Sequence, residues 1–140
     1  MSDPASPASP AAWVVPFLRG LLALALGVVI TLTPEHGPAF GLAAFAAFGL
    51  ASGAVITAAA LRGRGWDVAR GLAIAGGVLT IAAGTAAGAL SGGGVAYFAV
   101  LVGVWALSAG GLEFAAGLLH SAHRAARDRR LVGAATVVLG

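Results

Sequence analysis

The chain has 140 residues, 59% of them hydrophobic and 9% charged, and a mean hydropathy of +0.97. A soluble domain carries about 25% charged residues, so this chain lacks the polar surface to coat a water-soluble globule. Its net charge is only +3, lysine and cysteine are absent, and no basic stripe interleaves with aromatics; that excludes nucleic acid as a partner, and with it disulfides, thiol chemistry and cysteine-ligated metals.

Residues 1–12 hold Pro4, Pro7 and Pro10 among alanines and serines and lack the basic start of a cleaved signal peptide. They are expected to form a disordered N-terminal tail. A helix needs ~20 apolar residues to cross the hydrocarbon core. The first such run covers 13–32 and stops at Pro34. The second covers 38–61 and ends at Arg62-Gly63-Arg64-Gly65. The third starts at Trp66 or Val68 and reaches about Ala87, before Ser91-Gly92-Gly93-Gly94. The fourth covers 95–119, followed by the polar run 120–130. A fifth apolar run, 131–140, rises only ~15 Å as a helix, so it is expected to be the start of a truncated fifth span. The runs do not alternate polar with apolar as a membrane barrel requires. The expected fold class is therefore all-α, a polytopic transmembrane helical bundle.

All eight basic side chains are arginines: Arg19, Arg62, Arg64, Arg70, Arg124, Arg127, Arg129 and Arg130. The connections around 33–38 and 90–94 carry none. The positive-inside rule then puts 62–70, 124–130 and the N-terminus in the cytoplasm of a multi-pass protein of the cell membrane. The expected partner is the lipid bilayer, with anionic headgroups at the cytoplasmic arginines.

The spans fall into two-helix units, 13–61 and 66–119, that begin on the same side and so form parallel hairpin repeats. Arg19-Gly20 opens the first helix and Arg70-Gly71 the third. Phe48-x-Leu50-x-x-Gly53 in the second matches Trp105-x-Leu107-x-x-Gly110 in the fourth. Gly20 and Gly27 are spaced like Gly133 and Gly140. Small residues let helix backbones approach closely, and Gly49-x-x-x-Gly53 and Gly84-x-x-x-Gly88 have that form. Gly20, Gly27, Gly49, Gly53, Gly71 and Gly110 are the expected packing positions.

Trp13 followed by Arg19-Gly20, Gly27, Pro34, the two aromatic-x-Leu-x-x-Gly motifs and Glu113 after Gly110 together resemble the HdeD family of acid-resistance membrane proteins. The resemblance covers about 13–140. It implies six helices in three two-helix repeats, of which this chain holds two and the start of a third. It also implies protection of the cell under acid stress, without implying a molecular mechanism.

Glu113 is the one acidic residue inside a predicted span. It lies seven residues before His120, roughly 10 Å from the cytoplasmic end of its helix. Arg19 follows Trp13 by six residues and Arg70 follows Trp66 by four, which places both at similar depth. An intramembrane ion pair of Glu113 with Arg19 or Arg70, or a triad, is expected, as a helix pin or a proton-handling group. Glu35-His36 forms an outward turn whose histidine is suited to sensing acid. His120 and His123 stand i, i+3, with only Asp128 near them, and no metal or cofactor site is assigned. Neither P-loop, GxSxG nor HExxH occurs, and no enzyme is expected. The leading function is an HdeD-like, non-enzymatic membrane component of acid-stress resistance. The alternatives are a small transporter or channel, using Thr31, Ser52, Thr57, Thr80, Thr85, Ser108 and Glu113, and a structural subunit that pairs with itself or another membrane protein.

Overall fold

The computed structural model describes residues 11–63 and 67–119. Arg64, Trp66, the polar run 120–130 and the fifth apolar run lie outside the described residues. Four helices fill those bounds: α1 (Ala11–Leu32), α2 (Pro38–Arg62), α3 (Val68–Ala89) and α4 (Gly94–Leu119). All four are long and apolar enough to cross a membrane, and no strand occurs among the described residues. This is the all-α architecture of a multi-pass membrane protein, in which each helix satisfies its own backbone groups.

Local chemistry sets the ends. Pro34 cannot continue α1, and Thr33 turns back to cap it: its backbone N–H and its hydroxyl both donate to the Val29 carbonyl, at 3.1 and 2.7 Å. Pro38 opens α2 in the first helical position, where its missing N–H costs nothing. α3 begins at Val68 rather than Trp66 because Asp67 is its N-cap, with Oδ1 accepting the Arg70 backbone N–H at 2.7 Å. Gly94 starts α4 at a φ of +72°, a conformation that disfavours residues with a Cβ. α1 begins at Ala11, two residues inside the expected tail.

Among the described helices the most extensive contact is between α2 and α3. α2 and α3 run antiparallel with glycines at the seam. A Cβ on Gly49 would sit 2.9 Å from the Gly84 Cα, and a Cβ on Gly53 would sit 2.7 Å from the Gly77 carbonyl oxygen. Backbones therefore touch directly, the close approach that small residues make possible. α4 lies along α3. Tyr97 donates from its hydroxyl to the Ala86 carbonyl at 3.0 Å. Trp105 donates from Nε1 to Thr80 Oγ1 at 3.1 Å, and Thr80 donates in turn to the Gly76 carbonyl at 2.7 Å. Leu42, Ala46 and Ala87 form the buried core, walled by Phe45, Tyr97, Phe98 and Leu101.

α1 stands apart from this three-helix core. Among the described residues its backbone approaches α2 alone, and no Cα of α1 comes within 8 Å of one in α3 or α4. Val15, Arg19, Leu22 and Leu26 make its half-buried face, spaced i, i+4, i+7, i+11.

Gly20, Gly27 and Gly71 are not close-approach points among the described helices, since a Cβ on any of them meets nothing within 4 Å. Gly49 and Gly53 sit in the α2–α3 seam, and Gly110 is buried on α4. Gly77 and Gly84 supply the α3 side of that seam.

Candidate functional site

Arg19 Nη1 lies 2.7 Å from Glu113 Oε1. Each side chain is between a quarter and a third exposed, at 28% and 29%. A charge-assisted hydrogen bond of this length is among the stronger polar contacts a protein makes.

The helices determine why these two meet. On α4, Ala106, Ala109 and Ala116 are buried, and Glu113 continues their heptad spacing. The carboxylate therefore sits in a seam of alanines whose short side chains leave room beside it. On α1, Arg19 belongs to the half-buried face, so its guanidinium extends toward the bundle. Glu113 lies six residues before Leu119 and Arg19 six after Trp13, each ~9 Å from those positions along its helix. Because the α1 and α4 backbones stay apart, the long arginine side chain spans a gap that no backbone contact closes. Arg19 Nε is buried and has no hydrogen-bond partner among the described residues, so the guanidinium is held through its outer nitrogen.

Arg70 is engaged elsewhere. Its Nη2 donates to the Leu61 carbonyl at 2.8 Å, joining the start of α3 to the end of α2. A cation there also meets the negative end of the α2 dipole. Glu113 is thus brought together with Arg19, and Arg70 with the α2 terminus.

At the opposite end of the bundle, His36 Nε2 lies 2.8 Å from the Ile30 carbonyl, and its ring packs edge-on against Phe40 at 6.4 Å. A carbonyl only accepts, so Nε2 carries the proton. Glu35 beside it is exposed.

The remaining polar groups do not line one conduit. The Thr31 and Thr85 hydroxyls bond back to Gly27 and Ile81 carbonyls on exposed faces, and Ser108 is exposed on α4. Ser52 and the Thr57 hydroxyl are buried on α2, and Thr80 is buried on α3. Phe48 and Trp105, the aromatic residues of the two matching motifs, meet edge to face at 6.3 Å; Leu50 and Leu107 are exposed, and Gly53 and Gly110 are buried.

No protein-family model, curated protein or solved structure matches the chain.

Proposed function

We propose that this chain is a non-enzymatic, HdeD-like component of acid-stress resistance in the cytoplasmic membrane, with its N-terminus inside. The observation that carries this reading is the Arg19–Glu113 ion pair. It is the one polar tie between α1 and α4 among the described residues. Losing the pair would free α1 from the fourth helix while leaving the α2–α3–α4 core intact. The parallel hairpin repeats belong to the same reading. Their support is the equivalent placement of the two aromatic-x-Leu-x-x-Gly motifs, with aromatic and glycine inward and leucine outward.

The test is acid survival of a strain lacking its own copy, complemented by the unaltered chain or by Glu113→Gln. The unaltered chain should restore survival. Glu113→Gln, at equal abundance in the membrane, should lose most of that rescue, because its neutral amide cannot form the ion pair with Arg19. Equal rescue by both forms would dismiss the ion pair as the acid-responsive element. No rescue by either would favour the transporter or structural-subunit alternatives.

A further inference from the structure

Buried polar atoms are unevenly distributed along the bundle. Ser52 is fully buried on α2, and its hydroxyl has no hydrogen-bond partner among the described residues. Neither has the buried Thr57 hydroxyl or the buried Nε of Arg19. The two hydroxyls depart from a local habit of the chain. Those of Thr31, Thr33, Thr80 and Thr85 each donate to the carbonyl four residues earlier on their own helix, at 2.7 to 2.9 Å. All three unpartnered atoms lie in the half of the bundle that ends at Arg62. Thr57 stands five residues before Arg62 and Ser52 ten, ~8 and ~15 Å along α2. Contacts through α3 put Thr57 level with the ion pair. A Cβ on Gly77 would strike its hydroxyl, and a Cβ on the neighbouring Gly76 would meet Leu112, the residue before Glu113. The ion pair is itself under-satisfied. Arginine carries several N–H donors and a carboxylate several acceptor sites, and the Nη1–Oε1 bond uses one of each. Toward Gly94 the interior changes. Leu42, Ala46 and Ala87 are closed over by Phe45, Tyr97, Phe98 and Leu101, and the Tyr97 hydroxyl is satisfied by the Ala86 carbonyl.

We infer that water enters the bundle from its arginine end, bonds to the Arg19–Glu113 pair, Thr57 and Ser52, and stops at the apolar layer around Leu42. Hydrocarbon supplies no partner for such groups, and buried water bonds to polar groups that the protein itself leaves unmet. Ionisable residues inside a span face the bundle interior or a water-filled cavity for the same reason. Water suits the site better than an ion, since the pair is neutral as a whole and its unmet groups include donors and acceptors. Between its contacts to Thr80 and Gly76, α4 buries Ala106, Ala109 and Gly110, residues short enough to leave a water beside a hydroxyl. The result is a dead-end recess, sealed at the other end of the bundle. The inference needs the helices to cross a membrane; it rests on no role in acid stress and on no choice of inside and outside.

The chain contains no cysteine, so one introduced thiol gives the only S–H infrared band of the protein. Ser52→Cys and Thr57→Cys put that thiol where the unpartnered hydroxyls stand. Ala46→Cys and Ala87→Cys put it in the apolar layer, and two such controls are used because a packed core tolerates added volume poorly. Each full chain is reconstituted in lipid vesicles, compared with the unaltered chain by its melting temperature, and transferred into D2O. The band should shift to S–D at positions 52 and 57 and persist at 46 and 87. A band that persists at 52 or 57 would mean that the polar half is dry. Equal exchange at all four positions would mean that water is not confined to that half. Either result overturns the inference.

Discussion

A carboxylate inside a span, even toward its end, has to be compensated, and Glu113 shows how one arginine does it. On insertion scales, Asp or Arg at a helix centre costs ~2.5–3.5 kcal/mol, and the pair answers both charges with one 2.7 Å contact. Measured interhelical polar contacts in membranes are nevertheless modest, about 0.6 kcal/mol on average and up to ~1.7. The pair's coupling should fall in that range rather than that of a deeply buried soluble ion pair, since both side chains are over a quarter exposed. A double-mutant cycle with Arg19→Gln and Glu113→Gln, read by thermal unfolding in a neutral detergent, should give a coupling of ~1 kcal/mol. The cycle with Arg70→Gln should give none, because that guanidinium serves the Leu61 carbonyl. Equal coupling to both arginines would mean that Glu113 alternates between them. The choice of partner was half legible in the amino-acid pattern. Counting residues from the tryptophans places Arg19, Arg70 and Glu113 near one depth. It leaves open which way each helix is turned, and the turn of α3 gives Arg70 to α2.

At the scale of whole helices, glycine has two different jobs that look alike in a list of residues. Gly53 sits where a Cβ would lie 2.7 Å from the Gly77 carbonyl, and backbone cannot yield as a flexible side chain can. Gly53→Val should therefore push α2 from α3 and destabilise the bundle by at least ~1–3 kcal/mol, the usual range for overpacking. Gly71 sits in open space, so Gly71→Ala should be neutral or stabilise α3 by about 0.5–1 kcal/mol through backbone entropy alone. Comparing the melting temperatures of the two variants checks both, and a destabilising Gly71→Ala would place an unseen neighbour at that position. The limits of the four helices were readable to within two or three residues, from apolar run length and from Pro34, Pro38 and the glycine turns. The Asp67 cap, visible as an aspartate just before an apolar run, was the missed signal for where α3 starts. The glycine seam was only partly readable. Gly49 and Gly53 announce themselves by spacing, and Gly84 by its spacing to Gly88, whereas Gly77 has no such partner in the pattern. Gly20 and Gly27 share the seven-residue spacing of Gly77 and Gly84 and face outward, so periodicity alone cannot say which glycines meet a neighbour.

For the molecule as a whole, the arrangement of charge decides where the ion pair samples protons. Arg62, Arg70 and the Arg19–Glu113 pair belong to one end of the bundle. The described turns at the other end carry Glu35 and His36 and no arginine. Under the proposed orientation, Glu113 lies near the cytoplasmic face and His36 near the outer one. A membrane-impermeant maleimide should label Glu35→Cys and Ser91→Cys on intact cells, and Gly63→Cys only after the cells are opened; the reverse pattern would invert the topology. Orientation in turn constrains the acid response. His36 on the outer turn is tied to the Ile30 carbonyl at 2.8 Å. Under the same orientation the Arg19–Glu113 pair lies toward the cytoplasmic side. The survival defect of Glu113→Gln should accordingly follow internal rather than external pH. It should appear at mild external acidity when a weak permeant acid lowers the cytoplasmic pH, and be absent at the same external pH without it.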